Sequence, residues 1–336
     1  MIVFSTIFWE GDYSSRDIPG GVEHSPHTNA VYLICADGTG LRRLDNLVQN
    51  AQAPCFSPDG RWVYFQSNAA GAWNIYRCRV DGGIPENLTG GRSLGKDSFG
   101  IGISPDGRRV LFVCNDGQIG RVAIMDADGS NPRIVAPGIG YHYMASFSPD
   151  GRRIVFSHTA EGYRLKVMDL RGEGIVTLTP DHPESFVGQF TPDGKTIVFF
   201  RRGGDIYSVG SDGGGLRRLT EGNQYGEFKL TANDRHGSSD PPDISPDGVR
   251  IAYCARVSGV PQVHVMSLDG SGQRRLTDLP GACGRVKWSR DGKRMAFVSF
   301  VGQYPQLHVM GADGRCPQRL TDLNGAVYFI NWGPEP

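Results

Sequence analysis

The chain lacks any apolar run approaching the roughly 20 residues that a membrane-spanning helix needs. It also lacks an excess of either charge, since 35 Lys and Arg balance 35 Asp and Glu over 336 residues. A neutral balance gives no global attraction to nucleic acid or to an anionic membrane, so neither is expected as a partner. The seven cysteines (35, 55, 78, 114, 254, 283 and 316) are odd in number, scattered, and never spaced Cys-x-x-Cys. They are expected as buried free thiols in a reducing compartment. Gly91-Arg92-Ser93-Leu94-Gly95 fits Gly-x-Ser-x-Gly as a string but precedes a strand rather than a helix, so it makes no nucleophile elbow, and a prolyl-peptidase role would need a partner chain. No His-x-x-x-His or His-Glu-x-x-His pair marks a metal site. The segment from Met1 to Trp9 has neither a basic start nor a small-residue cleavage site, and reads as a strand rather than a signal peptide. As it stands the chain is expected to be cytoplasmic, or periplasmic if a leader preceded it.

What the sequence has in abundance is turns, with 47 Gly and 21 Pro. Many of them belong to one repeat. Phe56-Ser57-Pro58-Asp59-Gly60 recurs as Ile103 to Gly107, Phe147 to Gly151, Phe190 to Gly194, Ile244 to Gly248 and Trp288 to Gly292, with a degenerate seventh copy in Trp332-Gly333-Pro334. The Ser/Thr position of successive copies advances by 47, 44, 43, 54, 44 and 44 residues. A period in the forties with four strand-like runs per unit signals an all-β fold, a β-propeller of four-stranded antiparallel blades. In the unit over 53–89, strand one ends at Ser57 and a tight turn follows. Trp62 to Phe65 is strand two, Trp73 to Val80 strand three, Asp81-Gly82-Gly83 a second hairpin, and Glu86 to Thr89 strand four. Six whole units and one split unit make seven blades in a single domain over 1–336. The split unit takes its outer strands from 1–45 and its innermost strand from 327–336, which closes the ring without a free sheet edge.

Strand order sorts the connections onto two faces. The Ser-Pro-Asp-Gly turns and the Asp-Gly hairpins share one face and are short and alike. The strand two to three loops and the inter-blade loops share the other, where both long insertions fall: Ile7 to Asn29 and Gly222 to Pro241. Long loops on a rigid scaffold are where binding chemistry usually sits. His264 and His308 stand within strand three, in the register where Tyr76 and Tyr207 stand elsewhere, and read as structural. The other six histidines map to the variable face or its strand ends. His142, His182 and His236 precede three successive inner strands, and are the candidates to hold a metal or to act as general base. Tyr143, Arg201, Arg202 and Arg235 complete the candidate catalytic set. Trp9, Glu10, Arg16, His24, His27, Lys96 and Tyr141 are the candidate substrate contacts. The recurring pairs Arg42-Arg43, Arg108-Arg109, Arg152-Arg153 and Arg217-Arg218 lie near the hairpin ends and read as solvated charges.

Phe-Ser-Pro-Asp-Gly-(Arg/Lys)-x-(Val/Ile)-x-Phe, then Ile-Tyr-x-x-x-x-Asp-Gly-Gly, then Leu-Thr, resembles the repeat of TolB-type (WD40-like, PD40) propellers along the whole chain. Propellers of that kind include binding scaffolds, peptidase accessory domains and oligogalacturonate lyases. His182-Pro183 ahead of Phe190-Thr191-Pro192-Asp193 resembles a stretch of the oligogalacturonate lyases, with Glu184 in place of that family's second histidine. That resemblance implies one divalent metal, manganese, calcium or zinc, held by histidines.

Two functions follow as expectations. One is a carbohydrate-active enzyme, a lyase cleaving uronate-containing oligosaccharides by β-elimination. That reaction needs a neutralised carboxylate and a base of moderate pKa. The other is a non-catalytic TolB-like module, binding a peptide, protein or saccharide on the same face through aromatic anchors such as Trp9, Tyr13, Tyr225, Phe228 and Tyr304. In either case the chain is expected to act as a monomer on an acidic saccharide or peptide.

Overall fold

A computed structural model describes residues 1–8, 28–45, 48, 50–90, 94–116, 119–136, 142–159, 162–182, 184–201, 204–222, 241–256, 259–300 and 302–334, with backbone alone at Phe8, Thr28 and 142–144. Seven four-stranded antiparallel sheets form the blades, and the described residues contain no helix. Blade one sets the C-terminal strand Ala326–Trp332 beside Ile2–Phe8, followed by Thr28–Ile34 and Arg42–Arg43. Ile2 lies opposite Trp332 and Phe4 opposite Ile330, so the two ends of the chain form one sheet. Blades two to seven follow in chain order. Their inner strands are Gln52–Phe56, Asp97–Ile103, His142–Phe147, Ser185–Phe190, Asp243–Ile244 and Cys283–Trp288.

The repeated turn is held by its own side chains. Ser148 Oγ donates to Asp150 Oδ1 at 2.5 Å, and the same carboxylate accepts from Arg152 N at 3.0 Å. Ser148 Oγ in turn accepts from Arg153 N at 2.9 Å. Five further copies make the same three contacts, with Thr191 replacing serine in blade five. The glycine after each aspartate is left-handed, as in Gly151 at φ 66°.

The outermost strands are shorter than the repeat suggests. Blade two pairs only Glu86–Asn87, because Leu-Thr leaves the ladder by a side-chain substitution. Leu88 N still reaches Ile75 O, but the N–H of Ile75 donates to Thr89 Oγ1 at 3.0 Å rather than to a carbonyl. Thr179, Thr220, Thr277 and Thr321 accept in the same way in four other blades. A two-residue outer strand leaves little edge for another chain to pair with.

The core is a ring of contacts between blades. Seven buried clusters form, one for each pair of neighbouring blades. The cluster of Ile2, Phe4, Val327, Ile330 and Trp332 with Ala296, Val298, Leu307 and Val309 joins blade one to blade seven. Arginines that the sequence presents as solvated charges instead tie blades together. Arg153 lies 5.5 Å from the ring of Phe190 in the next blade and donates to Gly194 O and Ser211 Oγ. Arg250 and Arg294 stack on Trp288 and Trp332 in the same manner. Arg42 donates across the blade boundary to Val80 O.

The turn face carries its own ring. The proline of each turn faces the turn glycine of the following blade, as Pro58 does Gly107 and Pro192 does Gly248. Blade seven breaks the pattern with Arg290 in the proline position. Its guanidinium reaches over the degenerate turn of blade one and donates to Pro58 O at 2.8 Å and Ser57 O at 3.4 Å in blade two. Beneath it, Gly333 N donates to Met1 O at 2.9 Å. All seven cysteines are free: Cys78, Cys114, Cys254 and Cys283 are buried as expected, and Cys316 is exposed. Burial pushes the Cys78 thiol up to about 12, so it is inert.

Candidate functional site

Five inner strands are irregular near their loop-face ends. Register shifts fall between Gln52 and Cys55, Phe99 and Gly102, Tyr143 and Ser146, Phe186 and Gln189, and Gly284 and Lys287. At the centre of four of these bulges the backbone is left-handed: Ala53, Gly100, Val187 and Arg285, with φ of 51°, 70°, 50° and 59°. A bulge bends the strand and re-aims the next side chains. The period-2 alternation of a strand, which the sequence suggests, therefore fails in the stretch nearest the axis.

Blade four concentrates basic residues at this end. His142, the first residue of its strand, lies opposite His158, and His158 lies opposite Arg164. Directly opposed residues share a sheet face, so His158 and Arg164 stand side by side on the blade. His158 is 9% exposed. Tyr143 is opposite Ser157 in the adjacent row. Blade five places Ser185 opposite Arg201. The Arg201 guanidinium stands 5.4 Å from the Tyr207 ring, and its backbone N–H donates to Asp205 O.

His182 is half-buried three residues before that strand, and its carbonyl accepts from Ser185 Oγ at 2.9 Å. Glu184, which follows in the same loop, is left-handed at φ 64° and its N–H donates to Gly162 O at 2.6 Å. Lys96 is exposed at the start of blade three, and its neighbour Asp97 accepts from Trp73 N at 3.0 Å. Trp9, Glu10, Arg16, His24, His27, Tyr141, Arg202, Arg235 and His236 lie outside the described residues. Of the three histidines expected to meet on one ion, only His182 has a described side chain. Among the described residues no three His, Cys, Asp or Glu side chains gather as metal donors.

Of the aromatic anchors expected from the sequence, Trp9, Tyr13, Tyr225 and Phe228 lie outside the described residues, and Tyr304 is half-buried just before the strand Pro305–Gly311. The structure also puts aromatic side chains on the inner strands. Phe186 stacks on Phe200 at 5.6 Å and meets Tyr163 at 4.8 Å, with Tyr163 and Phe186 half-buried. Tyr328 and Phe329 of blade one meet edge to face at 4.5 Å. His264 and His308, by contrast, are buried in the blades. They stack on Tyr253 and Phe297, and each Nδ1 lies 3.0 Å from a backbone oxygen, of Gln262 and Gln306 respectively. Tyr76 on Phe65 and Tyr207 on Phe199 make the same stack. Burial pushes both imidazoles below the ordinary histidine range.

Residues 22–163 match the model of the TolB beta propeller domain, PD40. Over those residues the repeat is similar to that of the TolB propellers. An uncharacterized protein of Agrobacterium fabrum is 34% identical over 137 residues, a match spanning 38% of this chain and 46% of that protein's length. TolB of Acinetobacter baumannii superposes with a TM-score of 0.57 at 19% identity, covering 99% of this chain and 82% of that one. An oligogalacturonate lyase solved in complex with manganese superposes with a TM-score of 0.61 at 18% identity, covering 79% and 75%. At such identities the two solved structures speak for the fold alone.

Proposed function

We propose that this TolB-like propeller acts on an acidic saccharide at its inter-blade loop face, cleaving uronate-containing oligosaccharides by β-elimination. The observation that carries the reading is the register at the loop-face ends of blades four and five, which sets His142 opposite His158, His158 opposite Arg164, and Ser185, three residues after His182, opposite Arg201. In β-elimination a base takes the proton α to the uronate carboxylate. The electron pair forms a C=C bond, and the glycosidic C–O bond on the adjacent carbon breaks. An imidazole has the basicity for the first step near neutral pH. A guanidinium stabilises the charge that develops on the carboxylate. The likeness to the manganese-bound lyase suggests a divalent cation in that stabilising role. The described side chains do not assemble a donor set for one, so no step is assigned to it.

The half-buried pair Tyr163 and Phe186 favours a second reading, a non-catalytic module that stacks a sugar ring or an aromatic peptide side chain. Incubation with oligogalacturonides of several lengths, followed by absorbance of the unsaturated product, separates the two. The lyase reading expects new absorbance, lost in His182→Ala and His158→Gln proteins that still melt as the wild type does. Saturable binding without absorbance selects the module, and absence of both overturns the saccharide assignment.

A further inference from the structure

Counting by the repeat, the residue two positions before Ile75 or its counterpart in strand three meets the residue five positions before the turn serine or threonine of the following blade. Between blades one and two these are Asn29 and Gln52, and Asn29 Nδ2 donates to Gln52 Oε1 at 3.3 Å. Between blades four and five they are Tyr163 and Phe186, with ring centres 4.8 Å apart. Between blades two and three the same two positions hold Trp73 and Phe99. The backbone repeats as well: Ser98 N donates to Trp73 O at 2.7 Å, as Ser185 N does to Tyr163 O at 2.7 Å. At the other four boundaries the first position is Gly120, Gly204, Pro261 or Pro305, so an aromatic pair is built at two boundaries only. Trp73 and Phe99 thus reproduce the pair of blades four and five on the same face, two blades away.

The backbone under this pair is fixed from both sides. Trp73 N donates to Asp97 Oδ1 at 3.0 Å, so the tryptophan is tied to the next blade at both of its main-chain groups. Phe99 precedes the left-handed Gly100, whose N–H donates to Gln66 Oε1 at 3.1 Å in blade two. Trp73 is half-buried and belongs to none of the seven buried clusters, so core packing does not account for so large a ring. Lys96 stands beside it, next to Asp97 in the chain. Its N–H donates to Asn115 O at 2.6 Å, and a Cβ on Gly95 would lie 2.8 Å from the same oxygen, which only glycine avoids. The lysine side chain is exposed and pairs with no carboxylate among the described residues.

We infer that Trp73, backed by Phe99, and Lys96 form a second subsite on the loop face, for an acidic sugar unit other than the one held at blades four and five. The indole takes the face of the sugar ring, and the ammonium takes its carboxylate. An oligouronide carries a ring and a carboxylate on every unit, so one chain can engage both platforms. This rests on the acidic-saccharide reading and extends it from a single unit to an oligomer. The test is calorimetric titration of the wild type, Trp73→Ala and Lys96→Gln with hexagalacturonate, with maltohexaose as the uncharged probe. Trp73→Ala is expected to weaken hexagalacturonate about tenfold. Lys96→Gln is expected to weaken it about threefold in dilute salt, a loss that fades as salt is raised, and to leave any maltohexaose binding unchanged. Lys96 is exposed, so its variant carries the test if Trp73→Ala melts early. Unchanged hexagalacturonate affinity in either folded variant overturns this inference while the saccharide reading stands. A wild type that binds no hexagalacturonate overturns the reading and the inference with it.

Discussion

Asp45 shows how a single departure from the repeat becomes a local weakness. In five blades the second residue after the outer strand is a threonine whose Oγ1 accepts a strand-three N–H; in blade one it is aspartate. Its carboxylate is fully buried. It accepts from Val31 N and from Arg43 Nε at 2.7 Å, but Oδ2 has no partner. Burial pushes the Asp45 carboxyl above its ordinary range, although Arg43 pulls the other way. A raised carboxyl in the folded state means that stability falls as pH rises past the unfolded value of about 4. Asp45→Thr restores the repeat contact without the charge. Arg43 can then turn to the threonine carbonyl, as Arg275 and Arg319 do with Thr277 and Thr321. The variant should gain about 1 kcal/mol at neutral pH, seen as a melting point higher by about 2 °C. A lower melting point would show that the Arg43–Asp45 pair outweighs its desolvation.

At the scale of the element, the turn was fully legible and the strand beside it was not. Ser-Pro-Asp-Gly names its own hydrogen bonds, because hydroxyl, carboxylate and glycine each have one place to go. The inner-strand bulges have no comparable signal: Ala53, Gly100, Val187 and Arg285 share a conformation but no side-chain property. For the same reason the opposition of His142 and His158 is only half legible in the sequence. Both lie at countable distances from the Ser148 turn, yet their pairing depends on the bulge between Tyr143 and Ser146. The setting of Arg285 is not legible either, because the two rings that hold it come from a strand distant in the sequence.

The turns themselves make a prediction about acid. The hydroxyl of Ser148 holds the Asp150 carboxyl below the usual range, helped by Arg152 N, and five other turn aspartates are lowered in the same way. A lowered carboxyl contributes stability that is complete above the unfolded value of about 4 and is lost as pH falls through the folded one. Asp150→Ala should therefore melt below the wild type at pH 7, with the gap narrowing between about pH 4 and pH 3. Melting curves across that interval decide the matter. A gap that stays constant would mean that packing, and not the charged acceptor, is what the turn needs.

For the whole molecule, closure is the decisive property. Six of the seven inter-blade clusters join blades that are consecutive in the chain, but the seventh and the blade-one sheet itself depend on a strand from the far terminus. Tyr328, Ile330 and Trp332 on that strand are 2%, 6% and 4% exposed. Each buried apolar side chain of this size contributes about 1.5–3 kcal/mol, so the three together rival the 5–15 kcal/mol that is typical of net stability. Removing 328–336 also takes away the Trp332 Nε1 bond to Lys287 O and leaves the strand Ile2–Phe8 with an open edge. The truncated chain should be insoluble or lose its cooperative melt. Arg290→Ala leaves the strand in place and removes only the clasp over the degenerate turn, so it should fold but melt a few degrees lower, by about the worth of one or two hydrogen bonds. The ordering of the two is what tests the closure. A truncated chain that melts with or above the Arg290→Ala protein would show that the ring does not depend on joining its ends.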